Sequence, residues 1–170
     1  MARLDESFYS RSALELAPLL VGKLLFSNIG GIAQVRITET EAYYGPLDSA
    51  CHASKGKTPR TEIMFRRGGF AYIYLCYGIH HLLNIVTGPE GHPEAVLLRG
   101  GIGCVGPGRL TKAMGITKSL NGEDLLSSSL IWLEDDGFEA QCVASKRIGI
   151  DYAREEDRER LWRYTLKEQK

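Results

Sequence analysis

Residues 70–87 read FAYIYLCYGIHHLLNIVT. Over 70–77 the side chains alternate at period two, which predicts a strand: Phe70, Tyr72, Tyr74 and Cys76 share one side, Ala71, Ile73, Leu75 and Tyr77 the other. Gly78 permits a turn or bulge, which puts Tyr77 at a tip. Residues 81–87 (HLLNIVT) predict a second strand and 94–100 a third, whose unbroken apolar run from Ala95 to Leu98 points to burial on both faces. Upstream, 23–28 (KLLFSN), Gly30-Gly31 and 32–40 predict a β-hairpin. Before it, the capping-box pattern SALE at 12–15 predicts a short helix ending near Gly22, with Pro18 placed to split it. Downstream, GPGRL at 106–110 predicts a helix through Met114 with Pro107 near its first position. Residues 129–134 and 141–147 predict two strands joined as a hairpin around Asp136-Gly137, and 155–164 a charged helix packing through Leu161, Trp162 and Tyr164. The fold class expected is α+β, one domain over 1–170 with peripheral helices.

Composition narrows the function classes. The chain has 170 residues, 44% of them hydrophobic and 25% charged, ordinary for a soluble globular domain. Its opening, MARLDESFYSRSALEL, has no apolar signal core, and no run approaches the ~18 apolar residues of a membrane span. Four widely spaced cysteines without a CxxC pair fit neither a disulfide framework nor a zinc site. The expectation is a monomer kept in a reducing compartment: cytoplasmic in a bacterial host, not secreted, not on a membrane. The formal net charge is zero, yet between Cys51 and Lys112 eight Lys and Arg face three Glu. That split can put a basic face on a neutral protein, or can be solvated loop charge.

Residues 39–84 concentrate the chemistry. They hold the acids of Glu39-Thr40-Glu41, five of the eight tyrosines and three of the four histidines. Strand alternation places Glu39 and Glu41 on one face, with Tyr43 following. Two acids at a strand mouth are either exposed end charges or a catalytic pair whose pKa values are tuned by pairing. Tyr43, Tyr72, Tyr74 and Tyr77 are either core aromatics or a stacking platform for a flat ring. Asp48 is placed to cap a short helix carrying Cys51 and His52, ahead of the basic loop SKGKTPR at 54–60. His52, His80 and His81 with Glu41 could ligate a metal, but adjacent strand histidines point oppositely and no HExxH signature occurs; no metal or other cofactor is expected. No GxSxG elbow supports a serine hydrolase. GPGRL can cradle phosphate or simply turn.

The runs ETEAYYGPLDSACH (39–52), Thr58 and Arg60, Met64-Phe65, YIYLCYGIHHLLN (72–84), VLLRG (96–100) and GPGRLTKAMGI (106–116) together resemble the alkyladenine (3-methyladenine) DNA glycosylases. The resemblance runs from about Leu16 to Arg147; beyond 158 it is loose, through Arg163-Tyr164, into a charged tail. It implies a curved, mainly antiparallel, open-barrel-like sheet. It implies a monofunctional enzyme that flips a damaged purine (3-methyladenine, 7-methylguanine, hypoxanthine, ethenoadenine) out of double-stranded DNA and hydrolyses its N-glycosidic bond. By motif position, Glu41 would be the general base and Arg99 would position the water. Tyr43, His52 and Tyr74 would enclose the base, and Asn84 would exclude guanine. Tyr77 would fill the gap in the stack, and Lys55, Lys57, Arg60 and Gly106 to Arg109 would hold the DNA backbone. Two other readings stay open: a lesion-binding protein that does not cut, which has no need of Glu41, and a small-molecule hydrolase or transferase without DNA dependence.

Overall fold

A computed structural model describes residues 1–168; the end of the charged tail, 169–170, lies outside the described residues. Its strands are β1 (Ala2–Arg3), β2 (Leu24–Asn28), β3 (Ile32–Tyr43), β4 (Ala71–Cys76), β5 (His80–Thr87), β6 (Glu94–Gly101), β7 (Cys104–Val105), β8 (Ile131–Asp135), β9 (Cys142–Ser145) and β10 (Arg163–Leu166). Its α-helices are α1 (Glu6–Tyr9), α2 (Ala13–Leu20), α3 (Pro107–Ala113) and α4 (Glu155–Arg158). The strands run β1-β8-β2-β3-β6-β5-β4, every pairing antiparallel, and the sheet curls into a half barrel with few helices. The α+β, open-barrel-like expectation holds.

β3 is the spine. Twelve residues long, it pairs with β2 on one edge over residues 32–36, then with β10 over 39–41, while β6 takes the other edge. A register irregularity around Glu39 bends the strand where the acids begin. One face of the sheet is covered by α2, and the main apolar core (Leu16, Leu20, Ile37, Ile73, Leu83, Leu98) lies between them. The capping box at Ser12 and Glu15 starts α2 as its sequence predicts, and Pro18 leaves the helix in one piece. Thr40 Oγ1 donates to the Ala17 carbonyl at 2.7 Å, tying α2 to β3 directly behind Glu41.

Two expectations are corrected. Residues 129–134 and 141–147 do not form a hairpin. β8 pairs with β1 and β2, β9 with β10. Asp135 and Asp136 accept the N–H groups of Gly137 and Phe138 and pair with Lys23 and Arg36, so the turn directs the chain away rather than back. The helix over 155–164 stops at Arg158. Arg163–Leu166 instead extends the β3 edge that β2 leaves at Arg36. An open backbone edge beside the acids outweighs the weak helical preference of a charged run without an apolar stripe.

Candidate active site

The register of the sheet assembles the site. A single lateral row runs Arg163 (β10), Glu41 (β3), Leu97 (β6), Asn84 (β5), Tyr72 (β4), each directly opposite the next. Directly opposed residues of antiparallel strands share a face. Residues far apart in sequence therefore stand side by side, with Tyr43 and Tyr74 two places along on the same face. The turn His52–Lys55 brings His52 over this row. A second small core, including Cys51, Ile63, Met64 and Val86, supports it from below.

Glu41 is fully buried. Oε1 receives Arg99 Nη1 at 3.1 Å and the Tyr43 hydroxyl at 3.4 Å; Oε2 receives the Ile148 N–H at 2.7 Å. Burial pushes its pKa above the ordinary glutamate value, and Arg99, the Ile148 amide and Arg147 pull it back. Its three covering groups, Tyr43, Arg99 and Ile148, line the floor of an open cleft of about 1450 Å³. The carboxylate thus lies one side chain beneath the cleft. Glu39 is on the same face, as the alternation requires, but its partner is Arg163 Nη1 at 3.0 Å, with Arg99 Nε farther off at 3.4 Å.

A recess of about 300 Å³ opens between Tyr43, His52, Tyr72, Tyr74 and Asn84. His52 stands edge-on to Tyr74, ring centres 4.6 Å apart. Its Nδ1 lies 2.9 Å from the Tyr72 hydroxyl. Burial first, then the charges of Arg60 and Lys55, push the His52 pKa down to about 4, so the imidazole is neutral at physiological pH. Burial likewise raises the phenols of Tyr43, Tyr72 and Tyr74, which stay protonated. Asn84 Nδ2 is anchored on the carbonyls of Tyr72 and Leu82, at 3.2 and 3.5 Å.

At the rim, Tyr77 is 91% exposed and has φ +52°, followed by Gly78 at φ +69°. Positive φ at both central residues is the I′ geometry of tight hairpins. Glycine adopts it without strain; tyrosine is there at a cost, held out from the protein. Across the cleft, Gly106 to Arg109 form the opposite lip. Lys55, Lys57, Arg60 and Arg109 are exposed, and none is in an ion pair among the described residues. Arg60 also leans over Tyr74, 5.3 Å from its ring centre. The model of the methylpurine-DNA glycosylases matches residues 7–103 and 102–170.

The chain belongs to the methylpurine-DNA glycosylase family. It is 40% identical to a protein of Natranaerobius thermophilus, over 98% of this chain and 96% of that one. It is 43% identical to one of Methanocella arvoryzae (96% and 92%) and 42% identical to one of Borreliella afzelii (96% and 95%). All three bear the name "Putative 3-methyladenine DNA glycosylase". As a methylpurine-DNA glycosylase the chain is a monofunctional DNA glycosylase, a hydrolase.

The sequence reading missed several residues here. Asp48 does not cap the turn that carries His52, whose N-cap is Cys51. Its carboxylate accepts the Tyr44 and Ala50 N–H groups and forms a bidentate, buried pair with Arg147 at 2.6 and 2.9 Å. Tyr72 was visible as Tyr74's neighbour on one strand face, but its tie to His52 was not. The Ile148 amide carries no side-chain signal at all. His80 lines the same cleft as His52 and packs against Gly108, whereas His81 is turned away, its Nδ1 accepting the Lys118 N–H at 3.0 Å. Among the described residues no three His, Cys, Asp or Glu side chains converge as metal ligands, and no helix is long and apolar enough to cross a membrane.

Proposed function

We propose that this protein excises alkylated and deaminated purines (3-methyladenine, 7-methylguanine, hypoxanthine and ethenoadenine) from duplex DNA by flipping the nucleotide into the tyrosine-lined recess. The observation that carries the reading is the seating of Glu41 beneath the cleft, next to a recess lined by Tyr43, His52, Tyr72 and Tyr74. Flipping costs a few kcal/mol and stacking returns about 1–3 kcal/mol per base contact. Tyr43, His52 and Tyr74, which line the recess, supply that stacking, and Tyr77 enters the gap left in the duplex. Asn84, which its two carbonyl anchors keep from swinging aside, disfavours the exocyclic amino group of guanine; 7-methylguanine carries the same group and is released despite it because its cationic ring weakens the N-glycosidic bond.

Glu41 takes a proton from water as the water oxygen bonds to C1′. The N-glycosidic bond breaks with its electron pair going to the base, leaving free base and an abasic site. A cationic lesion leaves neutral and needs no acid; a neutral lesion such as hypoxanthine leaves as its anion and takes a proton from solvent. A pKa raised by burial makes Glu41 a better proton acceptor, and Arg99 keeps it ionised. Lys55, Lys57, Arg60 and Arg109 hold the phosphates.

The experiment is Glu41→Gln, assayed without metal on duplexes bearing each lesion. Gln keeps the shape and loses the base. Lesion binding is expected to persist while release of free base falls to background; release at the wild-type rate sinks the mechanism.

A further inference from the structure

The excision chemistry above makes no use of the charged pair enclosed behind it. Arg147 and Asp48 side chains are 0% and 1% exposed. Beyond its fork on Asp48, Arg147 Nη1 donates to the Ala42 carbonyl at 3.0 Å and Nη2 to the Asp157 carbonyl at 3.2 Å. The guanidinium lies 5.0 Å from the ring centre of Tyr43 and 4.9 Å from that of Trp162. The far end of the same stretch is fastened too. Asp157 Oδ2 accepts the Ser49 N–H at 3.0 Å, and the Arg154 N–H donates to Ser49 Oγ at 2.9 Å. Residues 147–157 are therefore stapled at both ends onto Asp48-Ser49. Between the staples, the Ile148 N–H reaches Glu41 Oε2, and Gly149, Ile150 and Tyr152 face the cleft.

A buried ion pair is poor evidence of stability, because an apolar replacement of equal volume often serves as well. What an apolar replacement cannot do is fix which backbone N–H stands against a carboxylate. We propose that Arg147 is a positioning residue for excision: paired with Asp48, it sets the Ile148 N–H on Glu41 and braces the rear of Tyr43. This rests on the proposed function and deepens it, by assigning the 147–157 strap a part in the chemistry. The groups around Glu41 come from four places: Tyr43 and Glu39 on β3, Arg99 on β6, Arg163 on β10 through Glu39, and Arg147 with the Ile148 amide on the strap. Of the groups that hydrogen-bond Glu41, only the Ile148 N–H can be removed without changing a side chain.

The test replaces the Ile148 amide by an ester (the α-hydroxy-acid analogue of isoleucine), which puts an oxygen in place of that N–H and leaves every side chain unchanged, and makes Arg147→Lys beside it. Single-turnover release of hypoxanthine from a duplex is followed from acid to neutral pH, with Glu41→Gln as control. An ionised carboxylate that loses a donor is easier to protonate, so the acid limb of the ester's profile moves to higher pH by about one pH unit. Arg147→Lys moves it in the same direction and also lowers the neutral-pH plateau. A loss of folded protein would scale the rate equally at every pH and leave the midpoint in place. Should the Arg147→Lys variant not fold, the ester alone decides. An ester variant whose midpoint coincides with wild type overturns the positioning role and leaves the proposed function standing. Wild-type release by Glu41→Gln overturns both.

Discussion

The Tyr72 hydroxyl lies 2.9 Å from His52 Nδ1, and both rings wall the same recess. His52 is neutral, so one of its nitrogens carries the proton and the other accepts. Arg60's positive charge acts on the Tyr72 oxygen, favouring a phenol that turns its lone pairs to Arg60 and its hydrogen to Nδ1. Tyr72→Phe keeps the ring and removes that hydrogen. It is expected to cost about 1 kcal/mol in urea unfolding and to leave both His52 tautomers populated in imidazole ¹⁵N spectra. An unaltered tautomer ratio would show that the phenol does not set it.

The depressed His52 pKa has a pH consequence with a definite sign. The unfolded chain takes up a proton near 6.5, whereas the folded one resists until about 4. Between those values the unfolded state binds more protons, so stability falls as pH drops through this window. His52→Asn removes that slope. Urea unfolding of wild type and variant from neutral pH to below 5 checks it: wild type loses ground relative to the variant as the solution is acidified.

Tyr77 combines its exposure with a strained φ of +52°. Tyr77→Gly relieves left-handed strain and is expected to raise stability by up to about 1 kcal/mol. The same change removes the ring proposed to fill the gap in the stack and is expected to weaken lesion-duplex binding by about 1–3 kcal/mol. A variant both more stable and unimpaired in binding would remove the wedge assignment.

Binding to duplex should weaken steeply with salt as phosphate counterions are released. Arg109 is exposed on the cleft lip, is in no ion pair among the described residues, and is proposed to contribute one contact. Arg109→Gln should reduce the slope of log K against log salt by about 0.9, equally for lesion and undamaged duplex. An unchanged slope places Arg109 off the DNA.

Asp48→Ala leaves the Arg147 guanidinium enclosed without its partner. The expected loss is about 3–5 kcal/mol, read from thermal or urea unfolding. The double substitution Asp48→Leu with Arg147→Met should recover most of that stability. By the positioning argument it should not recover the wild-type pH profile of excision.

The local pattern of this chain carries its strands, its capping box and the shared face of Glu39 and Glu41, because alternation and capping depend on neighbours in sequence. The motifs carry the family. Pairing across the sheet lies beyond local pattern. Nothing local says that Glu41, Asn84 and Tyr72 form one row, since that depends on the register of four strands. The misread 155–164 helix and the misread hairpin fail for a related reason: an unpaired strand edge elsewhere in the fold decides where β8, β9 and β10 go. The tertiary structure alone separates the two acids, placing Arg99 and a backbone N–H on Glu41 and leaving Glu39 to Arg163. It alone puts Arg147 behind Tyr43. Side-chain chemistry is written residue by residue, whereas burial and partnership are properties of the assembled surface.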